Sequence, residues 1–198
     1  MPENRNGSRE NLNMKGITFA LVGLFSWLCI SSVAAALPLT ARVGISGVLD
    51  ARTSTVSVSA IPTVCDAGTS SESCPATNFA DLAAIADFHT SVEIVDSVGA
   101  AHTVSLFFFK TSDRRWLLRA YALSEDVDPV VAIEGAPRRI GGKFLTFKRN
   151  ALRLKRSALT GFNIRAAWNN GAPRTVVKAS FLFWQQAAPS QILATTVL

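Results

Sequence analysis

Residues 88–110, FHTSVEIVDSVGAAHTVSLFFFK, constrain this chain more than any other stretch. Residues 90–95 are mostly β-branched. Asp96, Ser97 and Gly99 then supply turn chemistry, and residues 103–109 run as β-branched and aromatic side chains. The pattern predicts two strands joined by a tight connection. With a period of two, Val92 and Ile94 share one face of the first strand, and Val104, Leu106 and Phe108 share one face of the second. Phe107 and Phe109 fall on the opposite face, so the second strand has to be covered on both sides or it presents a sticky surface.

The remaining segments read mostly as strands. Residues 53–59 alternate and are rich in β-branched side chains, which predicts a strand. Residues 60–78 form a Ser/Thr/Gly/Pro-rich loop carrying Cys65 and Cys74. Residues 81–87 fit one or two helical turns, capped by Asn78 or Asp81. A polar connection over 110–115 leads to a strand over 116–123. A long loop over 124–142 follows, acidic at Glu125, Asp126 and Asp128. Residues 143–148 make a short strand. Phe162, Ile164, Ala166 and Trp168 share one face of another, and Asn169-Asn170-Gly171 is a strong hairpin turn. A long strand over 174–184 carries Val177, Ala179, Phe181 and Phe183 on one face. The expected fold is all-β: a flattened β-barrel or sandwich of antiparallel strands, about six to nine in number.

The N-terminus reads as a targeting segment. Lys15 precedes an apolar run over 17–30, followed by Ser31, Ser32, Ala34, Ala35 and Ala36. Ala34 and Ala36 fit the small-x-small cleavage pattern, which places the cut before Leu37. A retained membrane anchor is the competing reading, and the run is short for a spanning helix. A lipid attachment at Cys29 is disfavoured by the bulky Trp27 and Leu28 before it. Residues 1–36 are therefore read as an export signal and residues 37–198 as a single β-domain, destined for the periplasm or the cell surface.

Without residues 1–36, Cys65 and Cys74 remain. An even cysteine count in an exported protein predicts one disulfide. It would close a loop of about ten residues, worth roughly 2.5–3 kcal/mol on the chain-entropy account. Two free thiols in a loop are the alternative. Zinc is disfavoured because only His89 and His102 could join the thiols, and neither has ligand spacing to them.

Formal charge is +6, distributed unevenly. Residues 37–113 hold three basic and eight acidic side chains, and residues 114–198 hold fourteen basic and four acidic. Lys148, Arg149, Arg153, Lys155 and Arg156 form the densest basic run. Such a run suits nucleic acid or an anionic surface. Export argues against nucleic acid, and a solvated β-surface is the plainer reading.

The strand, Asp96-Ser97-x-Gly99, short spacer, His102-Thr103 and aromatic strand together resemble the central β-domain of bacterial flagellar hook proteins. Three further segments add to the resemblance. Leu49-Asp50-Ala51 is similar to the entry into that domain, residues 142–147 (GKFLTF) to its glycine-led strand, and residues 181–191 (FLFWQQAAPSQ) to its exit strand. The resemblance spans roughly residues 48–193. It implies a non-catalytic structural or protein-interaction domain, with other envelope or flagellar proteins as partners. Hook proteins, however, begin and end with heptad-patterned helices and leave the cell without a cleaved signal. Residues 37–47 and 188–198 are too short for such helices, so the mature chain is expected to be a monomer or weak oligomer that forms no tubes alone. A secreted adhesin or glycan-binding module on the same fold is the second reading.

No motif points to catalysis. His102 with Asp96 mimics a base and its orienter, but no serine or cysteine is tied to them, and His102 reads as a turn-capping or half-buried residue. Glu125, Asp126 and Asp128 lack the glycine and distal glutamate of an EF-hand. Trp116, Tyr121, Trp168 and Trp184 could make a carbohydrate platform, but at strand spacing they read as core. No enzyme activity, cofactor, metal, small-molecule substrate or nucleic-acid partner is expected.

Overall fold

Residues 88–123 fold as their pattern dictates. Strands β2 (Phe88–Val95) and β3 (Ala101–Ser112) pair antiparallel, with Val92 opposite Val104 and Phe88 opposite Phe108. Strand β3 runs on to Ser112, so the turn into β4 (Arg115–Leu123) is only Asp113 and Arg114. Lys110, expected in a polar connection, is instead a buried strand residue. Strand β5 (Pro137–Thr146) pairs with β4 and completes an antiparallel sheet of order β2-β3-β4-β5.

The computed structural model describes residues 39–67, 75, 77–127, 133–148, 161–187 and 191–197, with side chains through residue 181. All belong to one compact unit, Ala35–Leu198. The expected signal (1–36), Cys74, Asp128, the side chain of Trp184 and the basic residues Arg149, Arg153, Lys155 and Arg156 lie outside the described residues.

A second four-stranded sheet is built from β1 (Arg42–Asp50), β6 (Phe162–Ala166), β7 (Thr175–Ala187) and β8 (Gln191–Val197), in the order β6-β7-β1-β8. The observed elements correct three expectations. The first strand is β1, whereas residues 53–59 are coil leading into a 3-10 turn, Val58–Ala60, capped by the Ser57 hydroxyl. The alternation there misled because Val58 is exposed. In β1, by contrast, residues 43–49 are all buried, so a central strand leaves no alternation to read. The sheets are also not wholly antiparallel. Strand β1 runs parallel to β7 and antiparallel to β8, and neither sheet closes into a barrel. Finally, the long loop expected over 124–142 is interrupted by a short helix, α2 (Ser124–Val127), and by the start of β5 at Pro137. Proline at the first strand position leaves no interior ladder bond missing.

The sheets pack face to face as a sandwich. Val92, Ile94, Val104, Leu106, Phe108, Trp116, Leu118 and Ala120 meet Val43, Ile45, Ile164, Ala166, Val177, Ala179 and Phe181 in one core. Burying each large apolar side chain contributes about 1.5–3 kcal/mol. Phe107 and Phe109 are covered as well. With Leu117 and Tyr121 they form a second cluster beneath the excursion between β1 and β2, where Ile61, Val64 and Leu82 close over them. Leu82 lies on helix α1 (Phe79–Ile85), whose N-terminus is a capping box: the Asn78 side chain accepts from the Asp81 amide, and Asp81 accepts from the Asn78 amide. Lys110 ties the excursion down, its ammonium donating to the Ala51 and Thr53 carbonyls at 2.6 Å each.

Along one side the two sheets nearly touch. A Cβ on Gly141 of β5 would lie 2.9 Å from the Asn163 carbonyl of β6. Gly161, at φ +68°, abuts the Ala179 carbonyl of β7 closely enough to exclude any side chain.

Candidate functional site

The Asp-Ser-x-Gly turn between β2 and β3 is a hydrogen-bonded loop. The Asp96 amide donates to the Ala100 carbonyl, the Gly99 amide donates to the Asp96 carbonyl, and Gly99 takes φ 87°. The Asp96 side chain fills the loop, with Oδ1 accepting from the Val98 and Ala100 amides at 2.9 Å each. Oδ2 accepts from His102 Nε2 at 2.8 Å and Asn170 Nδ2 at 2.6 Å. A carboxylate can only accept, so His102 Nε2 carries the proton.

Asn170 belongs to the other sheet. It lies in the turn after β6, and its Oδ1 accepts from the Ala172 amide. Two residues before it, Trp168 stacks on His102 with ring centroids 3.7 Å apart and planes at 3°. The indole nitrogen of Trp168 donates to the Thr175 hydroxyl at 3.1 Å. Asp96 and His102 are 1% and 8% exposed and Trp168 is 4% exposed, so the group is enclosed. Burial by itself would raise the Asp96 carboxyl. The hydrogen bonds from His102, Asn170 and the Ala100 and Val98 amides outweigh it and hold the group well below the usual carboxylate range.

Chemically, this arrangement is a clamp. Both Asp96 oxygens are saturated with donors, and one imidazole face is covered by indole. Helix α2 braces the same turn, because the Asp126 carbonyl accepts from the Asn169 amide and the Glu125 carbonyl from the Asn169 side chain. The Glu125 carboxylate accepts from the Gly135 amide. Among the described residues, no three His, Cys, Asp or Glu side chains converge as metal ligands do. Trp116, Tyr121 and Trp168 are buried and offer no exposed carbohydrate platform.

No family model matches the chain. Nor does any curated protein match it significantly. A solved structure similar to it is a 32 kDa fragment of the flagellar hook protein FlgE from Caulobacter crescentus, with 17% identity and a TM-score of 0.45. The match covers 57% of this chain and 46% of that one, so the chain spans about half the length of that fragment. Similarity at this level establishes neither family nor function.

Sequence reasoning singled out Asp96 and His102, and the structure brings them together. Asn170 and Trp168 stood in the sequence only as turn and core residues, with no signal that they complete the same cluster. Cys65 is disulfide-bonded. Its expected partner Cys74 lies outside the described residues, so the pairing itself is carried forward as a proposal. The segment around Cys65 is sewn to β5: the Arg139 amide donates to the Cys65 carbonyl, and the Ala67 amide to the Arg139 carbonyl. The Arg139 guanidinium grips the Asp66 carboxylate with two bonds, at 2.5 and 2.7 Å.

Proposed function

We propose that this chain is a non-catalytic structural or protein-interaction domain, exported to the periplasm or cell surface and related in architecture to the hook central domain. The observation that carries the reading is the enclosed clamp. The motif behind the sequence resemblance, Asp96-Ser-x-Gly99 with His102, joins one sheet to the other instead of facing a substrate. A buried, fully donated carboxylate and a stacked imidazole serve rigidity, and rigid faces suit a domain that presents surface to a partner. For the glycan-binding alternative, Trp116, Tyr121 and Trp168 are buried and supply no exposed aromatic platform among the described residues.

Export and disulfide belong to the same proposal. The segment 1–36 is removed before Leu37, and Cys65 pairs with Cys74. The test is in vivo crosslinking of the full chain, followed by fractionation and N-terminal sequencing. A product beginning at Leu37 in the envelope, crosslinked reproducibly to one envelope protein, supports the reading. A full-length chain confined to the cytoplasm overturns it.

A further inference from the structure

Away from the clamp, where β5 and β6 meet, a cleft of about 700 Å³ opens at the surface. Its walls carry five basic side chains, Arg119 of β4, Arg139 and Lys143 of β5, Arg165 of β6 and Arg174 just before β7, against one carboxylate, Asp66. They come from both sheets, and the five lie on four different segments of the chain. Only the fold assembles them.

Asp66 is already held by both arms of Arg139. That pair shows which chemistry the wall accepts, an oxyanion gripped by a planar fork. Burial lowers the pKa of Lys143, whose ammonium donates to the Gly161 carbonyl at 3.0 Å. Behind Arg119, the Tyr121 hydroxyl is buried without a well-formed hydrogen bond among the described residues. Gly141 and Gly142 leave a gap without side chains between Arg139 and Lys143 on the β5 stretch of the wall. Phe144 also borders the cleft, but the Arg115 guanidinium sits over its ring at 3.8 Å, so charge dominates there too. Like charges crowded into one concavity repel, and the walls focus their field into the opening. An anion relieves that repulsion.

We propose that the cleft is a binding site for a small multivalent oxyanion, a compound carrying two or more phosphate or carboxylate groups. Arg165 and Arg174, both exposed, are its outer arms and Arg119 its inner contact. The site is independent of the interaction reading above.

The test is isothermal titration of the exported protein with pyrophosphate and, separately, with citrate, in chloride buffer at low and moderate salt. Saturable binding of either anion is expected, weakening as salt rises. It should fall at least about tenfold in an Arg165→Gln/Arg174→Gln double variant, a drop of one order of magnitude in affinity. Both positions are exposed, and an unchanged thermal melt verifies the fold. Pyrophosphate binding alone identifies a phosphate ligand, and citrate binding alone a carboxylate ligand. Binding of neither anion overturns the proposal, as does equal binding by the double variant. Binding of polyglutamate with no response to the small anions also overturns it, in favour of an acidic protein partner.

Discussion

The His102 imidazole lies flat on the Trp168 indole, ring centroids 3.7 Å apart and planes 3° from parallel. One ring comes from β3 and the other from the turn after β6, so the stack spans the two sheets. Asp96 and Asn170 close the same junction with a hydrogen bond across 74 residues of sequence.

Asp96→Ala should therefore cost more than a surface change. It leaves the Val98 and Ala100 amides, His102 and Asn170 without their acceptor. A loss of roughly 2–4 kcal/mol is expected for a buried charged acceptor with several donors. Urea denaturation checks it, and a loss under about 0.5 kcal/mol, the range of ordinary surface changes, would remove the clamp from the account.

The same residue sets an acid sensitivity. Its folded pKa lies below the usual value, so the folded state binds fewer protons than the unfolded state. Its contribution is complete above the unfolded value of about 3.9 and is lost as pH falls from there toward the folded value. Native protein should lose stability below about pH 4, and the gap between it and Asp96→Asn should narrow between pH 7 and pH 3. A gap that stays constant over that range contradicts the linkage.

Trp168→Ala should destabilise by about 3–5 kcal/mol, because it empties core volume and uncovers His102. His102→Ala should cost less by itself. The two losses together should sum to less than the separate values add up to, since both remove the same stack. Strict additivity in a double-mutant cycle would show that the rings do not act as a pair.

Two glycines with positive φ should respond differently. Gly171 has open space around it, and Gly171→Ala should cost about 1 kcal/mol for the backbone conformation alone. At Gly161 an added Cβ also meets the Ala179 carbonyl, so Gly161→Ala should cost clearly more and disturb the pairing of β6 with β7. Paired thermal melts decide it, and equal shifts would contradict the close approach.

Thiol titration of the denatured, unreduced exported protein should find no free cysteine. Cys65→Ser should lower stability by about 2–3 kcal/mol, and reductant should lower native protein by a similar amount. One or two reactive thiols would rule out the Cys65–Cys74 pairing.

Several features were legible in the sequence because their causes are local. Turn chemistry at Asp96-Ser-x-Gly99, period-two faces in β2 and β3, the Asn78 and Asp81 cap and the Asn-Asn-Gly turn all act within a few residues. The requirement that Phe107 and Phe109 be covered was also plain. What covers them was not, because Ile61 and Val64 arrive from coil with no regular pattern, and the helical turn that carries Leu82 holds no local mark of where it docks.

Tertiary structure alone decided the rest. Strand β1 hides its identity because flanking by β7 and β8 buries it along its length. Its parallel pairing with β7 joins residues more than a hundred positions apart, a register that no local period encodes. Asp96 and Asn170 are ordinary turn residues until two sheets stack, and Asp66 and Arg139, 73 positions apart, are ordinary surface charges until the chain between them folds. Backbone propensity acts along the chain, whereas clamps and charged clefts depend on distances across it, which only packing of the two sheets determines.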